Sequence, residues 1–195
     1  MNRLLLISFS IVVCFASPIL LAQQILQSEY VGQERRLIKS LSADDIIELR
    51  NGRGWGLAKA AELNGVPGPA HLLELKDDIP LTQEQVRIIK SIFDDMKSVA
   101  TIHGEKLIEL ETRLEDGFSR GTITDEILRV SLDDIADTLS DLRYIHLSTH
   151  LRMRTILSND QIDAYNSLRG YSQDPCAVIP SGHDPARWRK HNDCD

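Results

Sequence analysis

The chain has 195 residues, of which 22 are basic and 29 are acidic, so its formal net charge is −7. Nucleic acids and anionic membrane surfaces attract basic patches, so this balance argues against both as partners. Aromatic residues make up only 5% of the chain, and apolar residues do not alternate with polar ones as they do in half-buried strands. The sequence therefore predicts an all-α protein that binds no nucleic acid.

The first 22 residues are interpreted as a signal peptide. Arg3 precedes a nearly continuous apolar run from Leu4 to Leu21, and Ala22 completes an acceptable cleavage site. We expect the mature chain to begin near Gln23 and to reside in the periplasm of a Gram-negative host. The alternative is that the apolar run, which is marginally long enough to span a bilayer, is retained as an anchor.

The mature chain keeps two cysteines, Cys176 and Cys194, both in the C-terminal tail (residues 172–195). In an oxidising compartment such a pair predicts a disulfide. The alternative is two unpaired thiols. The tail also contains three prolines, and we expect it to be extended.

Residues 23–66 are expected to form short helices and a glycine-rich segment. Ser42 is predicted to begin a helix that runs to Leu49, and the stretch NGRGWG at 51–56 then interrupts it with three glycines around Trp55. We interpret Trp55 as an anchor that folds this segment onto the rest of the chain. The alternative is an exposed contact for a partner.

One short pattern occurs twice between residues 67 and 171. It consists of Leu, then Thr or Ser, then Gln three positions later, and its residues are Leu81, Thr82, Gln85, Leu157, Ser158 and Gln161. A Thr or Ser followed by Gln at this spacing forms a capping box at a helix start, and the preceding Leu supplies half of a hydrophobic staple. The pattern therefore predicts helices that begin at Thr82 and at Ser158.

Two long helices are predicted between these starts. Apolar or small residues recur every three or four positions in the first helix, with one histidine among them: Val86, Ile89, Phe93, Met96, Ala100, His103, Leu107, Leu110 and Leu114. Residues 115–124 are predicted to form a turn, and Thr124 to cap the second helix. Its inward face is expected to contain Leu128, Leu132, Ile135, Leu139, Leu142, His146, Thr149, Met153 and Ile156. A short turn makes such helices antiparallel neighbours, so residues 67–171 are expected to form a helical hairpin with shorter flanking helices.

The sequence indicates no enzyme. It contains no glycine-rich phosphate loop, no nucleophile elbow and no HExxH pattern. Its carboxylates lie on predicted helix faces beside Lys and Arg, as is typical of a solvated surface.

Three histidines form a candidate metal site. His146 and His150 are four residues apart on one helix, and this spacing presents both rings on one face. The short helix before Thr82 is expected to bring His71 to the same level. Three neutral imidazoles suit Zn²⁺ or Cu²⁺, although no cofactor is required. The alternative is that the rings face different ways and are polar residues of the helix interface, which is also our interpretation of His103.

The signal peptide, the repeated pattern and the hairpin together resemble the LTXXQ-motif family of periplasmic Spy/CpxP-like proteins, which includes the zinc resistance-associated protein. The resemblance covers about Leu72 to Leu168, with Ser158 in place of Thr in the second motif. Within this range, the stretch HLSTHLRMRTIL at 146–157 is similar to the sequence that precedes the second motif in the family.

The resemblance implies an elongated antiparallel homodimer that acts as an ATP-independent chaperone or envelope-stress modulator. Its partners would be unfolded or misfolded envelope proteins and, in some members, a two-component sensor kinase. The alternative function is that of a periplasmic Zn²⁺ or Cu²⁺ sensor or resistance protein.

Overall fold

A computed structural model describes residues 28–171, 176–177 and 179–194. The predicted signal peptide at residues 1–22 and its cleavage site near Gln23 lie outside these residues. Within the described part of the chain the regular structure is helical, with no strand. No helix there is both long enough and apolar enough to cross a membrane.

The chain forms seven α-helices and one 3₁₀ turn at Gln33–Arg35 within the described ranges. In chain order the helices are α1 (Ala43–Arg50), α2 (Lys59–Glu62), α3 (Pro69–Glu74), α4 (Gln83–Ser119), α5 (Asp125–Ile156), α6 (Asn159–Leu168) and α7 (Pro185–His191).

The long helices α4 and α5 pack against each other as an antiparallel hairpin, with the shorter helices beside them. This confirms the predicted all-α hairpin. The hairpin turns one helical turn later than expected, because nothing in residues 115–119 stops α4. The Asp116 and Arg120 side chains form an ion pair of 3.4 Å across its last turn, and the chain reverses only at Gly121, whose φ is +65°.

One position of the predicted interface is wrong. Leu132 is 48% exposed, because the buried face of α5 continues from Ile135 through Ser131 to Leu128, which are both half-buried. Thr138, which was not predicted to lie at this interface, is completely buried. Its hydroxyl donates a hydrogen bond of 2.8 Å to the carbonyl of Asp134, so the burial of Thr138 leaves its hydroxyl paired.

The N-terminal segment (residues 28–66) shares a core with the middle of the hairpin. The buried members of this core are Ile38, Leu41, Leu49, Ala100, Leu107, Ile108, Leu110, Ile135 and Leu142. A glycine allows the approach, since a Cβ added to Gly104 in α4 would lie 2.3 Å from the carbonyl oxygen of Leu49. The end of α1 therefore rests directly on the backbone of α4.

A second core, the base core, lies at the end of the hairpin where α4 begins and α5 ends. Its buried members are Leu72, Ile79, Ile89, Ile92, Met153, Leu157 and Tyr165. It joins α3 and α6 to the long helices.

The tail differs from the extended chain that we expected, because it contains α7. Asp184 caps this helix by accepting a hydrogen bond of 2.8 Å from the backbone N–H of Arg187. Cys176 and Cys194 form a disulfide with their Cα atoms 5.5 Å apart. His183 packs edge-on against Trp188.

The contact at Gly104 gives a first prediction. Gly104→Ala should lower the free energy of unfolding by about 1–3 kcal/mol, because the new methyl group must displace the backbone of Leu49. Urea unfolding followed by circular dichroism measures this loss. Gly54→Ala is the matched control, because a Cβ at Gly54 meets nothing within 4 Å. Equal stability of the two variants would contradict the close approach of α1 to α4.

Candidate functional site

The two repeated motifs meet at the base of the hairpin. Thr82 and Ser158 each accept a hydrogen bond from the backbone N–H of the Gln three residues later, and each Gln accepts one from the backbone N–H of its cap. Both capping boxes are therefore complete. Leu81 and Leu157 lie at the base core, half-buried and buried respectively.

The two glutamines also bind each other. The side-chain amide of Gln85 donates to the side-chain oxygen of Gln161 at 2.9 Å, and that of Gln161 donates to the oxygen of Gln85 at 3.0 Å. The same two amides reach across to backbone carbonyls, Gln85 to Ile156 at 2.9 Å and Gln161 to Pro80 at 2.8 Å. The repeated motif therefore joins the start of α4 to the start of α6, in addition to capping each helix.

The two caps were predicted from the sequence, but the bond between the glutamines was not. A signal was present, because both motifs have Gln at a position where Glu caps equally well. Only an amide can accept from a cap and donate to a second partner at the same time.

Replacing each Gln by Glu distinguishes the contribution of the capping boxes from that of the Gln85–Gln161 bond. Gln85→Glu and Gln161→Glu preserve the acceptor of each capping box but remove the amide donor and place a carboxylate against another acceptor. Each should lower the free energy of unfolding by about 1–3 kcal/mol, and the double variant by more than the sum, because it places two carboxylates against each other. Thr82→Ala and Ser158→Ala, which remove only caps, should each cost about 1 kcal/mol. Urea unfolding measures these losses. If both Glu variants are as stable as the native chain, the bond between Gln85 and Gln161 contributes nothing and the two motifs act only as separate caps.

A cavity of about 350 Å³ lies between the N-terminal segment and the hairpin. Residues 52–56 and the start of α3 form one side of it, and α4 and α5 form the other. Its lining includes Trp55, Glu62, His71, Phe93, Met96, His146 and His150. The three histidines of the predicted metal site thus share one cavity.

Their rings are held by different partners. His71 Nδ1 lies 3.1 Å from Glu62 Oε1. His150 Nδ1 lies 2.8 Å from the carbonyl of Val66, and it must carry the proton, because a carbonyl only accepts. His146 is only 5% exposed, and its Nε2 has no hydrogen-bond partner. Burial, helped by the nearby His150, lowers the pKa of His146 and keeps its ring neutral.

These positions do not make a formed metal centre. In the part of the chain that the structure describes, no three His, Cys, Asp or Glu side chains are grouped so that they can hold a metal ion. The site at His71, His146 and His150 therefore stays a prediction that requires side-chain movement. His103 lies elsewhere, with its Nδ1 3.8 Å from Asp141 Oδ2.

Trp55 fixes the glycine-rich side of the cavity. Its φ is +42°, a backbone conformation that is rare for a bulky residue. The indole N–H donates a hydrogen bond of 2.8 Å to Asp45 Oδ1, and the ring packs against the core that α1 shares with the hairpin. Trp55 therefore anchors the segment and also lines the cavity.

Glu62 organises the polar end of the cavity. Its Oε1 accepts hydrogen bonds from Tyr165, from Tyr171 at 3.0 Å and from Arg169 at 3.2 Å, besides its contact with His71. Burial alone would raise the pKa of Glu62, but the hydrogen bonds from His71, Tyr165 and Tyr171 outweigh it and lower the pKa to about 2. The second oxygen, Oε2, is buried and has no partner.

Searches of the protein-family models, the curated proteins and the solved structures each find no match to this chain.

The low pKa of Glu62 predicts a pH-dependent stability. A carboxylate with a lowered folded pKa stabilises the fold above its unfolded pKa and loses that contribution as the pH falls through the folded value. For Glu62 this window runs from its ordinary value of 4.5 down to about 2, and the contribution is on the order of 3 kcal/mol. The stability difference between the native chain and Glu62→Gln should therefore be large at pH 7 and shrink towards pH 2.

Urea unfolding at a series of pH values measures this difference. Glu74→Gln is the control, because Glu74 lies on the nearby α3 and is exposed. A difference for Glu62→Gln that does not change with pH would show that its carboxylate is not held ionised by these donors.

Proposed function

We propose that this protein is a periplasmic, ATP-independent chaperone or envelope-stress modulator that holds unfolded envelope proteins on its helical surface. The observation that carries the proposal is the exposed apolar surface of the long helices. Val99 and Ile102 are exposed on α4. Ile127, Val130, Leu132, Tyr144 and Leu151 are exposed on α5.

These side chains stand among charged residues. Ile102 is 66% exposed and Tyr144 is 72% exposed, while carboxylates and cations such as Asp141 and Arg143 are exposed beside them. Apolar contacts of this kind bind extended chains weakly and without sequence preference, and the surrounding charge keeps the complex soluble. ATP is not needed, because clients bind to and leave such a surface reversibly, by mass action.

The resemblance to the LTXXQ-motif family supports the same function. It rests on the repeated motif and on the hairpin between its copies. That family also suggests a homodimer and, as a further partner, the sensor domain of a two-component kinase. The dimer interface is proposed to consist of apolar side chains that remain exposed on a single hairpin. Sedimentation equilibrium tests the dimer by measuring the molecular mass in solution.

The alternative function, a Zn²⁺ or Cu²⁺ sensor or resistance protein, has one observation in its favour. His71, His146 and His150 line the same cavity. It is the weaker candidate, because these three rings are not grouped as ligands.

Client binding is tested by the aggregation of a chemically denatured model protein, followed by light scattering with and without the purified chain and without nucleotide. We expect the chain to suppress aggregation. Val99→Ser combined with Ile102→Ser should weaken suppression severalfold while changing stability by only about 0.5 kcal/mol, as is usual for surface positions. Leu63→Ser is the control, since Leu63 is exposed on the N-terminal segment rather than on the hairpin. Equal suppression by all variants would show that clients do not bind at Val99 and Ile102. If the native chain does not suppress aggregation, the proposed chaperone function is wrong.

A further inference from the structure

The cavity between the N-terminal segment and the hairpin has two buried polar atoms that no protein group satisfies. These are Glu62 Oε2 and His146 Nε2, and both residues line the cavity. A buried polar atom without a partner has lost its hydrogen bonds to water without replacement, which destabilises the fold. Two such atoms at one cavity indicate a place where a hydrogen-bonding ligand is received.

The chemistry of the two atoms defines what the ligand offers. Glu62 is ionised at neutral pH, so its free oxygen only accepts hydrogen bonds. His146 is buried and its Nε2 has no partner, and a neutral imidazole has one acceptor nitrogen. An anion would be repelled by Glu62, and a purely apolar ligand would leave both atoms unsatisfied. A ligand group that donates hydrogen bonds fits both.

Glycine keeps the approach to Glu62 open. A Cβ added to Gly68 would lie 2.8 Å from His150 Nε2 and 3.6 Å from Glu62 Oε2. These two atoms therefore border the same small space beside the Gly68 backbone, and any larger residue would fill it.

The rest of the lining is apolar and aromatic. Trp55, Phe93 and Met96 face the cavity, and a cation near an aromatic face is stabilised by the charge distribution of the ring. The exposed cations Arg53 and Lys59 also line the cavity, whereas the side chain of Glu62 is only 12% exposed. The carboxylate is therefore buried from solvent, while the two cations are exposed to it.

We propose that this cavity binds a small organic amine, whose ammonium group donates to the free oxygen of Glu62. The neutral ring of His146 accepts a second hydrogen bond from the ligand. The apolar body of the amine lies against Trp55, Phe93 and Met96. A cavity of about 350 Å³ is at the lower end of the usual range for small-molecule sites. A single metal ion fits less well, because the possible ligands are not gathered around one point.

This site is independent of the proposed client binding. Client binding uses the exposed apolar side chains of α4 and α5, none of which lines the cavity.

The test is titration of the purified chain with 2-phenylethylamine at pH 7, by calorimetry and by NMR of the tryptophan indole signals. We expect saturable binding that shifts the indole signal of Trp55 and leaves that of Trp188 unchanged. The neutral analogue 2-phenylethanol should bind at least about tenfold more weakly, since it lacks the charge-assisted hydrogen bond. Glu62→Gln should weaken amine binding by a similar factor. No saturable binding of the amine, or equal binding of the alcohol, would overturn the proposal.

A second variant is needed, because Glu62→Gln also disturbs the donors around Glu62. Ala70→Trp fills the cavity from α3 without removing a polar group, and it should abolish amine binding. Ala60→Trp is its matched control, since Ala60 is exposed and does not line the cavity, and it should bind as the native chain does. Native-like binding by Ala70→Trp would place the amine outside the cavity and overturn the proposal.

Two further ligands separate related explanations. The peptide phenylalanylglycylglycine presents the same ammonium and ring at a peptide N-terminus. Binding of this peptide more tightly than 2-phenylethylamine supports the proposal and identifies the source of the amine as a peptide. If Zn²⁺ shifts the ring signals of His71, His146 and His150 while the amine shifts nothing, the cavity is a metal site and the proposal is wrong.

Discussion

The hydrogen-bonded pair of Gln85 and Gln161 is the constraint on which the base of the molecule depends. Each amide accepts from the backbone of its own cap and donates to the other amide and to a carbonyl across the hairpin. The start of α4, the end of α5 and the start of α6 therefore meet at one network in which no amide donor is left unpaired. A network of this kind favours one register of the two long helices, because a slip of one turn would leave buried amides without partners.

The N-terminal segment is attached by a second constraint, the close contact of α1 with the backbone of α4 at Gly104. Ion pairs and hydrogen bonds reinforce it, including those of Lys39 with Glu115 and of Ser40 with Glu111. Further along the segment, Glu62 accepts hydrogen bonds from side chains of α3, of α6 and of the residues after α6. The cavity lies between these two attachments, which hold its walls in place. Gly104 does not line the cavity, whereas Glu62 both attaches the segment and lines the cavity.

Periodicity was sufficient to predict the hairpin, because two long amphipathic helices with a short turn have one compact arrangement. The caps at Thr82 and Ser158 were equally predictable, since capping is local. Contacts between distant residues were not. The Gln85–Gln161 pair, the contact of Gly104 with Leu49, and the bonds of Glu62 with residues of and after α6 each join positions more than 50 residues apart. Only the folded chain shows which distant residues meet. The prediction for Leu132 was wrong because an apolar residue beside the buried face of a helix matches the three-to-four-residue spacing as well as one on that face.

The two ends of the hairpin are held together differently. Polar networks join α4 to neighbouring elements at the base, whereas beyond His103 no side-chain hydrogen bond or ion pair links α4 to α5 among the described residues. Towards the turn the two helices are joined by apolar packing, and there Ile127, Val130 and Leu132 are exposed. Apolar packing tolerates small shifts of one helix against the other, while a hydrogen-bonded network does not. The proposed client surface thus extends to the more adaptable end, and the cavity, which needs fixed polar groups, lies near the rigid base.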